Sequence, residues 1–188
     1  MTAELTGHRI AFLATNGVEQ IELTSPWEAV KEAGGTPVLV SPQRDTLTGM
    51  IGDWDHGDTF TVDLHVSDAR AEDFDSLVLP GGTLNADTLR VDEDALGFVR
   101  GFFSQHKPVA AICHAPWILI NAGVAEGRTL TSVANVSLDL KNAGADWVDQ
   151  EVVVDAGLTT SRTPDDLDAF NDKLVEEAAE GKHQDQTT

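Results

Sequence analysis

The chain has 188 residues, 41% of them hydrophobic, which is enough for one sizeable core and is the usual size of a single domain. Its 32 Asp and Glu against 12 Lys and Arg give a formal net charge of -20 and a pI near 4.3, a surface that repels nucleic acid phosphates and predicts no nucleic-acid binding site. The longest apolar stretches, Val109 to Cys113 and Trp117 to Ile120, fall far short of the run of about 18 residues a membrane helix needs.

The start, Met1 to Gly7, lacks the basic and apolar segments of a secretory signal, and one cysteine cannot form an intrachain disulfide. Both features predict a soluble cytoplasmic protein with no membrane partner. The acidic residues are spread along the chain rather than gathered in a tail, so they read as a solvated surface. One domain is expected over residues 1–180, with 181–188 as a frayed, disordered tail.

In chain order, short apolar runs alternate with segments of helical period, which predicts a mostly parallel sheet covered on both faces. The first strand is expected over Arg9 to Ala14. Ser25-Pro26-Trp27-Glu28 reads as a capping box with proline at the first helical position, and Gly34 supplies the stop. Pro37 to Val40 is the second strand. Over Leu47 to Val66 the apolar set Phe60, Val62, Leu64 and Val66 alternates with Thr61, Asp63 and His65, which predicts a β-hairpin excursion turning near Asp55-His56-Gly57-Asp58.

Ser76 to Leu79 is the third strand. Asp92 is placed to cap a helix whose buried stripe is Leu96, Val99 and Phe103. Val109 to Ile112 is the next strand, followed by a helix that Gly123 closes. Further strands are expected at Thr129 to Val133 and within Val152 to Thr160. Thr163-Pro164-Asp165-Asp166 then opens a last helix with Leu167, Phe170, Leu174 and Ala178 facing the sheet.

Three strand ends carry chemistry. In Pro108-Val109-Ala110-Ala111-Ile112-Cys113-His114-Ala115-Pro116-Trp117 a strand ends at the lone cysteine and a helix begins just beyond it. A thiol at the positive end of a helix, at the carboxyl edge of a parallel sheet, is favoured as thiolate and lies where ligands bind in such folds. A buried, inert cysteine is the alternative. Leu77-Val78-Leu79-Pro80-Gly81-Gly82 ends a strand in paired glycines, so backbone amides of Gly82 and His114 are candidates for an oxyanion hole. Leu13 to Gln20 ends the first strand with Glu19 just beyond it, a carboxylate able to meet the sulfur. Taken singly, the glycine pair reads as a turn and Glu19 as a helix-start acid.

Together these segments resemble the PfpI-type intracellular proteases and protein deglycases of the ThiJ/PfpI superfamily. The likeness runs from Arg9 to Leu174 and includes Lys141 to Asp155 and Thr160 to Leu167. It implies an α/β fold, a three-layer α/β/α sandwich with a flavodoxin-like, mostly parallel sheet of the class I glutamine-amidotransferase type. It implies Cys113 as nucleophile and His114 as its neighbouring base or acid. It implies Glu19 as the carboxylic acid on the sulfur, and Asp87 as the acid that orients His114, from this or a neighbouring subunit. Ala115 replaces a glycine frequent in relatives, a methyl group that would narrow the pocket or shift the elbow.

The other histidines, His8, His56, His65, His106 and His183, show no ligand spacing, so no metal and no cofactor are expected. The amidotransferase reaction itself is excluded, because it needs a His-x-Glu after the cysteine and only His183 follows His114. The resemblance implies a cysteine-dependent hydrolase or deglycase acting on glyoxal, methylglyoxal, glycated protein or peptide, as a homodimer or higher homo-oligomer. A redox-responsive stress protein whose Cys113 is oxidised with little turnover is the second reading.

Overall fold

The structure, a computed structural model, describes residues 4–186. The first strand, β1 (Arg9–Leu13), is followed by a two-residue strand β2 (Val18–Glu19), helix α1 (Gln20–Glu32) and β3 (Thr36–Ser41). A hairpin of β4 (Thr46–Ile51) and β5 (Asp55–Thr61) precedes β6 (Leu64–His65) and β7 (Ser76–Leu79). Helices α2 (Thr83–Leu89) and α3 (Glu93–Ser104) lead to β8 (Val109–Ile112), and α4 (Pro116–Ala122) follows it. The chain continues through β9 (Thr129–Leu130), α5 (Ser137–Asn142), β10 (Asp146–Trp147), β11 (Val152–Asp155) and β12 (Leu158–Ser161) to α6 (Leu167–Glu180).

The main sheet has the order β11-β12-β8-β7-β1-β3-β6, parallel except for the β11–β12 pair at one edge. Alternation along its strands builds two cores. Ala11, Leu13, Leu77, Leu79, Val109 and Ala111 pack with α3 and α4 on one face, whereas Ile10, Phe12, Val78, Ala110 and Ile112 pack with α6 and the α1 residues Leu23 and Val30 on the other. This is the three-layer arrangement that the alternating pattern predicts. No described helix is long and apolar enough to cross a membrane.

Several expected elements differ. The strand at Thr129 to Val133 is shortened to Thr129–Leu130 and pairs only with β10, because the sheet position beside β8 belongs to β12. The run from Val152 to Thr160 is two antiparallel strands, folded back at Ala156 and Gly157, both with positive φ. The hairpin turns earlier than expected, over Gly52 to Trp54, and Asp55 already belongs to β5. Helix α1 begins at Gln20, five residues before the expected capping box. Pro26 therefore lies inside the helix, where it is buried and donates no hydrogen bond to the Glu22 carbonyl. The extra turn is held by Leu23, which is buried against the sheet. The end of the chain, expected to fray from residue 181, is tied down in part: His183 N–H donates to the His106 carbonyl at 2.8 Å, and His106 Nδ1 lies 2.6 Å from the Gln186 carbonyl.

Candidate active site

The parallel strands β1, β7 and β8 are neighbours and all end at one edge of the sheet. Their ends bring together the three segments singled out in the sequence. Cys113 follows β8 with φ 63°, a left-handed conformation rare for a side chain larger than glycine's. Both of its backbone groups are engaged: its N–H donates to the Ser161 carbonyl and its carbonyl accepts from the Val133 N–H, each at 3.1 Å. The neighbouring strand and loop thereby hold the chain in a sharp elbow. Ala115, after the elbow, has φ -55° and a side chain wholly buried in the α3–α4 core. Its methyl group thus fills core space and does not narrow the site.

The paired glycines are required by close approach. A Cβ at Gly81 would lie 2.4 Å from Glu22 Oε2 and 2.8 Å from Cys113 Cβ; one at Gly82, where φ is 93°, would lie 2.4 Å from the Gly17 carbonyl oxygen. Asn85, fully buried, clamps this loop. Its Nδ2 donates to the Pro80 and Gly81 carbonyls, each at 3.0 Å, and its Oδ1 accepts from the Thr15 N–H at 2.8 Å. The backbone N–H of Gly82, on this loop, and that of His114, on the elbow, both interact with the Cys113 sulfur.

Glu19 does not reach the sulfur. Its carboxylate accepts from the N–H groups of Gly52 and Asp53 at 3.2 Å each, on the hairpin turn. The acid at the sulfur is Glu22, one helical turn further on and completely buried. Its Oε2 accepts from the Gly81 N–H at 2.8 Å, its Oε1 has no well-formed hydrogen bond, and the Cys113 thiol is the side chain that interacts with the carboxyl. Burial, with Glu19 and Asp53 nearby, pushes its pKa up to about 8, so near neutral pH it is mainly the neutral acid.

Cys113 is only 9% exposed. Burial, aided by Glu22, pushes its thiol well above the ordinary range, and the two amides oppose this only in part. The helix end expected to favour thiolate is thus outweighed by desolvation. His114 Nδ1 lies 3.3 Å from Sγ, and burial lowers the imidazole's pKa, so the ring is neutral and able to accept a proton.

Asp87 is not placed to orient His114 within the chain. Its side chain is 69% exposed and pairs loosely with Arg90 at 3.8 Å. It lies on the rim of a cleft of about 510 Å³ that also includes Arg90, Trp117, Asn121 and Asp139. The Arg90 guanidinium stacks over Trp117, whose ring is 5.3 Å from that of His114. The neighbour of His114 on its far side is Thr83, whose Oγ1 is 3.3 Å from Nε2. Far from this site, Glu177, Glu180 and His183 form one group among the described residues with ligand atoms close enough to share a metal. There Glu177 and His183 already pair with each other at 3.3 Å.

A doubly covered parallel sheet with a cysteine on a left-handed strand-to-helix elbow, a histidine beside it and a buried acid at the sulfur places the chain in a class of three-layer α/β/α proteins with a cysteine elbow at the sheet edge. Within that class the chain belongs to the DJ-1/PfpI family, whose profile matches residues 8–177. It is 43% identical over 167 residues to a deglycase of Pyrococcus horikoshii, covering 89% of this chain and 97% of that one. It is 42% identical to a deglycase of Thermococcus kodakarensis over the same shares. Among solved structures, Drosophila melanogaster DJ-1beta superposes with a TM-score of 0.83 at 28% identity, covering 92% of this chain and 90% of that one. The DJ-1/ThiJ/PfpI-like and ferritin-like protein of Anabaena variabilis gives 0.85 at 33% identity, covering 90% of this chain and 47% of that two-domain protein.

Proposed function

We propose that this chain is a cysteine-dependent deglycase of the DJ-1/PfpI type, acting on glyoxal, methylglyoxal or the adducts these form on proteins. The observation that carries the reading is the 3.3 Å approach of Cys113 Sγ and His114 Nδ1 on the elbow. The relatives named deglycases support it. In the first step Sγ bonds to the aldehyde carbon, the C=O π bond breaks, and the thiol proton passes through His114 to the carbonyl oxygen, giving a hemithioacetal. The Gly82 and His114 amides are suited to the developing oxyanion, and neutral Glu22 to donating a hydrogen bond to the sulfur. A peptidase of the PfpI type would use the same nucleophile on an amide carbon. The relatives named deglycases favour the smaller substrates over peptides. We place the enzyme in the cytoplasm, as a homodimer or larger homo-oligomer.

Methylglyoxal incubation with lactate and amine-repair readouts tests this. Wild type is expected to turn over, and Cys113→Ala to lose at least about 10³-fold in kcat/KM. No lactate and no repair by wild type would overturn the reading.

One observation favours a second reading, in which Cys113 is a redox sensor: a neutral Glu22 at the sulfur is a ready donor to a sulfinate. Hydrogen peroxide would be the oxidant, two molecules per sulfinic acid. Selective oxidation of Cys113 by mild peroxide, seen by mass spectrometry in a protein with no turnover to lose, supports the sensor over the enzyme.

A further inference from the structure

The hairpin turn between β4 and β5 carries a second acid that no sequence motif marks. Asp53 has φ 60° at the tip of the turn, and its carboxylate engages Thr83 twice. Oδ1 accepts from the Thr83 N–H and Oδ2 from the Thr83 Oγ1–H, both at 2.9 Å. Thr83 Oγ1 is in turn 3.3 Å from His114 Nε2, while the opposite ring nitrogen faces Cys113 Sγ. We propose that Asp53, acting through Thr83, is the acid that orients His114 and fixes its tautomer, with Glu19 holding the turn that carries Asp53. This rests on the enzymatic reading above and deepens it.

The assignment follows from counting protons. An ionised carboxylate only accepts, so the single hydroxyl hydrogen of Thr83 is committed to Asp53. Thr83 Oγ1 can then only accept from His114, which puts the imidazole proton on Nε2 and leaves the Nδ1 lone pair towards the thiol. When Sγ attacks, its proton moves to Nδ1. The imidazolium so formed keeps its Nε2–H on Thr83, with the Asp53 charge just beyond. Glu19 helps to place the turn: its bonds to the Gly52 and Asp53 amides add to the β4–β5 pairing and to the Trp54 N–H bond to the Ile51 carbonyl, and so steady the 2.9 Å contacts to Thr83.

Asp53→Asn gives a sharp test. The Thr83 N–H demands an acceptor, so the amide oxygen takes the Oδ1 place and the NH₂ group faces Thr83 Oγ1. The hydroxyl then turns its hydrogen to His114 Nε2, and the ring proton moves to Nδ1, against the thiol. Nitrogen-15 NMR of histidine-labelled protein, with His114 assigned by its loss in His114→Gln, should show Nε2–H in wild type and Nδ1–H in Asp53→Asn. Alkylation of Cys113 by iodoacetamide at pH 7 should slow at least about 10-fold, and deglycation kcat should fall about 10²-fold or more with KM little changed. Thr83→Val should lose the relay while Thr83→Ser keeps it, and Glu19→Gln should give a partial loss. An unchanged tautomer and alkylation rate in Asp53→Asn and Thr83→Val would overturn the relay. Absence of turnover in wild type would instead sink the enzymatic reading, while the tautomer and alkylation data still decide the relay.

Discussion

A carboxyl and a thiol buried against each other cannot both be charged, and the pair sets how the protein responds to pH. The folded pKa of Glu22 is about 8, against 4.5 for the free side chain. Between those values the folded protein keeps a proton that the unfolded chain has released. The contribution of this group to stability is therefore full below pH 4.5 and is lost as pH rises through 8. Glu22→Gln removes that slope and keeps the shape. Thermal denaturation from pH 5 to 9 should show the variant's Tm falling less steeply than wild type's, with the gap widest above pH 8. Parallel curves would mean Glu22 is ionised in the fold. At this scale the sequence was readable where geometry follows from a strand end: Cys113, His114 and the glycine pair all converge. It misled on the acid because Glu19 stands at the strand end in β2 while Glu22 lies in the first turn of α1, and starting the helix at Ser25 put Glu22 outside it. The available signal was a carboxylate on the buried stripe of Glu22, Leu23, Pro26 and Val30. Asp53 had no such signal, since only the hairpin's long-range placement brings it to Thr83.

Elements with local chemistry at their ends were legible for the same reason that they are stable. Asp92 Oδ1 accepts from the Ala95 N–H at 2.9 Å, satisfying one of the free donors at the start of α3. Gly123 closes α4 in the left-handed conformation, and Pro164 opens the turn that leads into α6. Ser25-Pro26 has the same local chemistry and failed as a start signal, because Leu23 is buried against the sheet and carries the helix past it. Likewise Thr129 to Val133 has strand composition but no vacant place in the main sheet. Asp92→Ala should therefore cost about 1 kcal/mol, seen as a fall in Tm of roughly 2–4 °C, with Asp92→Asn close to wild type. Equal losses in both variants would assign the effect to charge at the helix end rather than to the cap.

For the whole molecule two features oppose each other. The formal charge of -20 drives copies apart, whereas a group of large apolar side chains lies open to solvent around β2. Trp54 is 87% exposed, Ile51 54%, Leu84 56% and Ile21 44%. Ile51 follows Met50, which pairs with Glu19 of β2; Ile21 lies in the first turn of α1, just after β2; and Leu84 packs against Gly17 just before it. A second copy offering the same surface about a two-fold axis would cover all four, and would shelter the turn that bears Asp53. Such a dimer buries apolar area against like-charge repulsion, so its strength should rise with salt, as the screening length shrinks from about 10 Å at 0.1 M to about 3 Å at 1 M. Sedimentation at micromolar concentration is expected to show a dimer whose dissociation constant falls as NaCl is raised. Trp54→Asp should give a monomer with the wild-type far-ultraviolet circular dichroism. It should also lower kcat, because the unsheltered turn holds Asp53 less firmly on Thr83. A Trp54→Asp protein that remains dimeric would remove this surface from the interface, and a monomer with undiminished kcat would separate assembly from catalysis.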